Sequence, residues 1–176
     1  MSLADIDRAE FGRAQTVEIA APAEAVWALV TDVTRTPEWS PVVAESWYED
    51  GGPVRPGAVI VGRNVTPTRE WQTTSRVVEA DPPRSFAWVV GEDVVRWGYE
   101  IEPTGSGCRL TETWQVLETG FAFFERRYGD DARAQLADKM EITKVIHALV
   151  SANGSEPDVA LERDTRGGTR PRADKR

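Results

Sequence analysis

Hydrophobic and polar residues alternate with a period of two along most of this chain, and two stretches depart from that rhythm. Ala14–Ala20 alternates and carries β-branched residues, which predicts a first strand. Val26, Trp27, Leu29 and Val30 then recur at helical spacing, so 22–31 reads as a short helix. Pro22 suits its first position, where the missing N–H costs nothing. Asp32–Pro37 reads as a second helical turn, and Pro37 with Pro41 makes the segment around Trp39 a rigid loop. Six further strands are expected at Val42–Glu49, Ala58–Thr66, Glu70–Glu79, Ser85–Val90, Val94–Glu102 and Arg109–Leu117. Turn-forming Gly, Pro, Asp and Ser residues separate them, the pattern of an antiparallel meander. The helical period returns over Asp130–Ser151, where Leu136, Met140, Thr143 and His147 form one stripe. Thr119–Gly129, apolar but without a clean period, reads as a connection between the last strand and that helix, either a packed one or a hydrophobic lid.

The resulting order, β-α-α-β6-α, is an α+β fold with a seven-stranded antiparallel sheet and a long C-terminal helix. One helix cannot cover a sheet of that width. The sheet must curl around it, and the space between them is filled by side chains or left as an internal cavity. The organisation expected is a loose segment over 1–12, one domain over 13–153 and a disordered charged tail over 154–176.

Side-chain alternation assigns the faces of the strands. Trp71, Thr73, Ser75 and Val77 share one face, as do Phe86, Trp88 and Val90, then Val95, Trp97, Tyr99 and Ile101, then Leu110, Glu112, Trp114 and Val116. In 58–66 two phases compete, Ile60, Gly62 and Asn64 against Val59, Val61, Arg63 and Val65; the first is favoured inward, because it keeps Arg63 in water and makes Gly62 a bend point. Each aromatic ring alone is equally well explained as core. Together with Asn64, Thr73, Ser75 and Glu112, the rings have the composition of a ligand pocket: apolar walls with a few convergent polar groups. Glu112 then either accepts hydrogen bonds from Tyr99 or indole N–H groups, or serves as a proton acceptor with a raised pKa.

The 176 residues are 40% hydrophobic and 28% charged, a soluble globular composition. Net charge is −8. Ser155–Arg176 holds six basic and five acidic residues, so the body before it carries −9. That excess argues against nucleic acid as a partner and against docking on anionic membranes. No run is long enough to span a membrane, and the N-terminus lacks a signal-peptide pattern, so a cytoplasmic monomer or homodimer is expected. The single Cys108 excludes an intrachain disulfide and reads as a small core residue. One His and one Cys fit no zinc pattern, and there is no phosphate loop or dinucleotide fingerprint, so neither metal nor cofactor is expected.

Several segments resemble one family: Ile19-Ala-Ala-Pro22-Ala-Glu24-Ala-Val26-Trp27, Pro37-Glu38-Trp39-Ser40-Pro41, Ala80-Asp81-Pro82-Pro83-Arg84-Ser-Phe86-Ala-Trp88, Trp97-Gly-Tyr99-Glu-Ile101-Glu-Pro103 and Gly107-Cys-Arg-Leu110-Thr-Glu112. In order and spacing they are similar to the START-like helix-grip superfamily, specifically its SRPBCC polyketide cyclase/dehydrase group, over about residues 14–150. The resemblance implies a cavity under the long helix that takes a hydrophobic small molecule, polyketide-, lipid- or quinone-like, and in some members cyclises or dehydrates it. It carries no portable catalytic motif, so the catalytic residues are unknown. The candidate ligand-binding residues are Trp39, Asn64, Trp71, Thr73, Ser75, Trp88, Trp97, Tyr99, Glu112, Trp114, Phe121, Phe124, Met140 and His147.

Overall fold

A computed structural model describes residues 11–134. Its seven strands are β1 (Gly12–Ile19), β2 (Val43–Tyr48), β3 (Val59–Thr66), β4 (Arg69–Asp81), β5 (Ser85–Val90), β6 (Val95–Pro103) and β7 (Cys108–Val116). They form one antiparallel sheet in the order β1-β7-β6-β5-β4-β3-β2. The meander from β2 to β7 follows from the turn residues between strands, and β1 adds beside β7. Register shifts at Val43/Glu45 and Val77/Glu79 are bulges. Bulges raise local twist and bend a strand, which curves the sheet.

Between β1 and β2 the chain forms α1 (Ala23–Thr31) and a 3-10 helix over Val33–Glu38. Pro22 stands one position earlier than expected. It flanks the helix, and its carbonyl accepts from the N–H groups of Ala25 and Val26. Val26, Trp27 and Val30 are buried on the face that α1 turns to the sheet. One hydrogen bond closes the end of α1, and two more tie α1 and the 3-10 helix to edge strand β2. Thr31 Oγ1 donates to the Trp27 carbonyl at 2.7 Å, Tyr48 Oη donates to the Thr31 carbonyl at 2.9 Å, and Ser46 Oγ donates to the Val33 carbonyl. Burial pushes the Tyr48 phenol pKa upward, so it stays a donor.

One element differs from the sequence reading. Glu118–Tyr128, expected as a connection, is an α-helix, α2. No side chain caps its start at Leu117, and Gly120 weakens its intrinsic propensity. Packing overrides both, because Phe121 and Phe124, three apart, turn the same way and are buried. Gly120 is required there: a Cβ would lie 2.1 Å from the Val94 carbonyl oxygen. A second difference is Phe11, which belongs to the stretch read as loose. It is buried, its ring edge-on to Phe121 at 5.7 Å. After a 3-10 turn at Gly129–Asp131 the chain re-enters helical geometry at 132–134. The remainder of the long helix read over Asp130–Ser151 lies outside the described residues, as do Met140 and His147.

The core divides into two clusters on the concave face. One, under α1, holds Val26, Trp27, Val77, Phe86, Tyr99, Ile101 and Leu110 among others. The other, under α2, holds Phe11, Trp114, Val116, Phe121 and Phe124. Cys108 is fully buried beside the first, as a small filler residue would be.

Candidate functional site

In β4 and β7 the inward faces assigned from alternation are the more buried ones, whereas in β5 Ala87 and Val89 of the other face are buried and Trp88 and Val90 only partly so. Strand register stacks the inward residues into rungs. One rung runs Val77, Trp88, Trp97, Trp114, and the next runs Phe86, Tyr99, Glu112, Gln15. The rings form a continuous row across the sheet. Trp27 meets Phe86 edge-on at 6.2 Å, and Phe86 lies 5.1 Å from Trp88. Trp88 and Trp97 stack at 6.3 Å with planes 8° apart, and Trp97 meets Trp114 at 6.3 Å and 67°. Tyr99 joins the row at 5.7 Å from Trp88. The Trp88–Trp97 stack bridges the two core clusters.

Glu112 sits at the junction of those clusters, between Leu110 of the first and Trp114 of the second on the inner side of β7. It is only 7% exposed. Tyr99 Oη, directly opposite in register, donates to Glu112 Oε1 at 3.1 Å. Burial pushes the Glu112 pKa up to about 7, partly opposed by the Tyr99 hydrogen bond. Tyr99 is itself raised well above its ordinary value, first by burial and then by the neighbouring carboxylate, so it remains a phenol. The pair is a carboxyl poised near neutrality beside a fixed donor, and it can bind a polar group or exchange a proton with one.

A second polar patch lies toward β3. The Asn64 amide donates to the carbonyls of Gly62 and Trp71 at 3.2 and 3.4 Å and to Thr73 Oγ1 at 3.1 Å. Gly62 leaves the room for this, since a Cβ there would lie 3.0 Å from Thr73 Oγ1. Ser75 is buried opposite Ile60 and Val90. Asn64, Thr73 and Ser75 thus share the concave face with Glu112, as expected.

Other candidates lie elsewhere. Trp71 stands off the ring row at the end of β4, with the Arg69 guanidinium 4.3 Å over its ring. Trp39 caps the 3-10 helix and is core under α1. Phe121 and Phe124 are the buried residues of α2 itself, packed into the second cluster. The sequence reading missed Gln15, half-buried beside Glu112 across β1 and β7, although its inward position was readable from the β1 alternation. An open notch of about 390 Å³ at the β6–β7 hairpin, lined by Ala20–Glu24 and Pro103, Thr104, Ser106 and Gly107, is separate from the ring row. Among the described residues no group of His, Cys, Asp and Glu is arranged to hold a metal ion, and no helix is long and apolar enough to cross a membrane.

Residues 13–141 match the family model described as polyketide cyclase/dehydrase and lipid transport. The chain belongs to that family. It is 38% identical to the polyketide cyclase-like protein Cgl2372 of Corynebacterium glutamicum, covering 82% of this chain and 90% of that one with a TM-score of 0.62. A START superfamily protein of Mycobacterium smegmatis superposes with a TM-score of 0.56 at 19% identity, over 80% of this chain and 95% of that one. The ARO/CYC di-domain protein StfQ of the steffimycin biosynthetic pathway does so with 0.54 at 16%, over 81% of this chain and 51% of that one. These two likenesses show the fold, which is the START-like helix-grip class. No curated protein matches the sequence.

Proposed function

We propose that this chain binds a hydrophobic small molecule, polyketide-, lipid- or quinone-like, in a cavity between the concave sheet face and the C-terminal helix. The observation that carries this reading is the ring row with one buried carboxyl set into it. A core built for stability alone gains little from a carboxyl at its centre, because burial without a cationic partner is costly. A ligand with its own polar group recovers part of that cost. Apolar rings supply the contact area, and Glu112, Tyr99, Ser75 and Asn64 fix orientation. Family membership supports the reading, since the family description joins cyclases and dehydrases with lipid transport.

The Glu112–Tyr99 pair also favours a second reading, a cyclase, aromatase or dehydratase acting on the same ligand. A carboxyl with a pKa of about 7 accepts and returns a proton near neutral pH, and the row would hold a flexible chain in one reactive fold.

Native mass spectrometry of the purified protein, with denaturing extraction of whatever is released, tests binding. A co-purifying apolar molecule is the expected result. A protein that releases nothing and binds no member of a polyketide, lipid and quinone panel would overturn it. The second reading requires turnover of a polyketide-like substrate that falls on the order of 100-fold or more in Glu112→Gln.

A further inference from the structure

We propose that the ligand is an amine: Glu112 with the faces of Tyr99, Trp88, Trp97 and Trp114 forms a site for an organic ammonium group carried on an apolar frame. This deepens the binding reading above and rests on it. Glu112 has one hydrogen-bond partner among the described residues, the Tyr99 hydroxyl on Oε1. A carboxylate has about four acceptor positions. No arginine of the described residues pairs with it. Arg35, Arg55, Arg63, Arg76, Arg84, Arg96 and Arg109 all pair with other carboxylates. Arg13, on the concave side of edge strand β1, is exposed opposite Trp114.

The walls suit a cation as well as the floor does. Aromatic faces carry negative charge density and attract ammonium groups, most strongly where water is excluded. Trp114 follows Glu112 by two positions on the same face, Trp97 is its register partner, and Trp88 stacks on Trp97. An ammonium N–H donated to Glu112 makes a charge-assisted hydrogen bond and supplies a countercharge that no described residue provides. A neutral hydroxyl would make the hydrogen bond without the charge. A carboxylate head, as on a fatty acid, would bring a second negative charge beside Glu112, which pairs with no cation among the described residues. The acidic net charge of the chain, −8, favours approach of a cation over an anion.

Calorimetric titration of the full chain with three probes on one ring frame tests this: 1-naphthylmethylamine, 1-naphthalenemethanol and 1-naphthaleneacetate. The amine should bind tightest, by about tenfold or more over the alcohol, and the acid weakest. Glu112→Gln should collapse the amine-to-alcohol ratio to within about threefold, and Arg109→Ala, on the opposite face, should leave the ranking as it is. An acid that equals the amine, an alcohol that equals it in the unmodified protein, or a preference that survives Glu112→Gln overturns the inference while the pocket stands. If none of the three binds, the pocket reading falls with it. The ranking in the unmodified protein decides the matter even if the Gln variant does not fold.

Discussion

The two faces of β7 treat charge in opposite ways. On the convex side Arg109 lies between Glu18 of β1 at 2.8 Å and Glu102 of β6 at 3.3 Å, all three largely in water. Similar cross-strand pairs join Arg63 to Glu45 and Glu70, and Arg96 to Glu79. On the concave side, three residues along, Glu112 has a phenol for company and no cation among the described residues. Outer charges are solvated and interchangeable, and they say little about what the protein does. The inner one opposes stability, so its presence calls for a reason beyond folding.

Three substitutions on this strand sharpen the contrast. The largest effect belongs to Leu110, fully buried beside Glu112. Leu110→Ala should cost about 3–5 kcal/mol in chemical denaturation, because the closely packed cluster under α1 closes over a lost side chain only in part. Next is Glu112→Gln, whose effect depends on pH. The folded chain keeps the Glu112 proton up to about pH 7, whereas an ordinary glutamate loses it near 4.5. Between those values the folded state binds more protons than the unfolded one, so its stability falls as pH rises through the window. The variant escapes that loss. It should match the parent near pH 4.5 and exceed it by on the order of 3 kcal/mol at about pH 8, read from denaturation at both values. A parent whose stability is flat across the window would mean that Glu112 is ionised throughout. Smallest is Arg109→Ala, an exposed site whose loss should leave Tm within about 2 °C and change less still in high salt.

Most of this contrast was readable before any coordinates. A two-residue period tells the inner and outer sets apart once one position per strand is fixed, and in β3 Gly62 and Arg63 fixed it. In β7 the side on which Glu112 lies followed from its alternation with Leu110, Trp114 and Val116. Its partner was left open between Tyr99 and an indole N–H. Tyr99 faces Glu112 because of the β6–β7 register, which the hairpin geometry sets and alternation alone leaves open. Trp71 illustrates the opposite failure. It has the right parity but lies at the far end of β4, so it shares a face with the ring row without touching it. α2 escaped notice because its signal is tertiary: two phenylalanines find a place on the sheet, and a glycine allows the approach.

The ring row has an optical consequence. Trp88, Trp97 and Trp114 follow one another at 6.3 Å steps, within the range over which excited indoles exchange energy. An excitation absorbed by one of them migrates along the row before it is emitted. A single occupant resting against any ring can therefore darken all three, and the protein carries its own lamp beside the place where a ligand would sit.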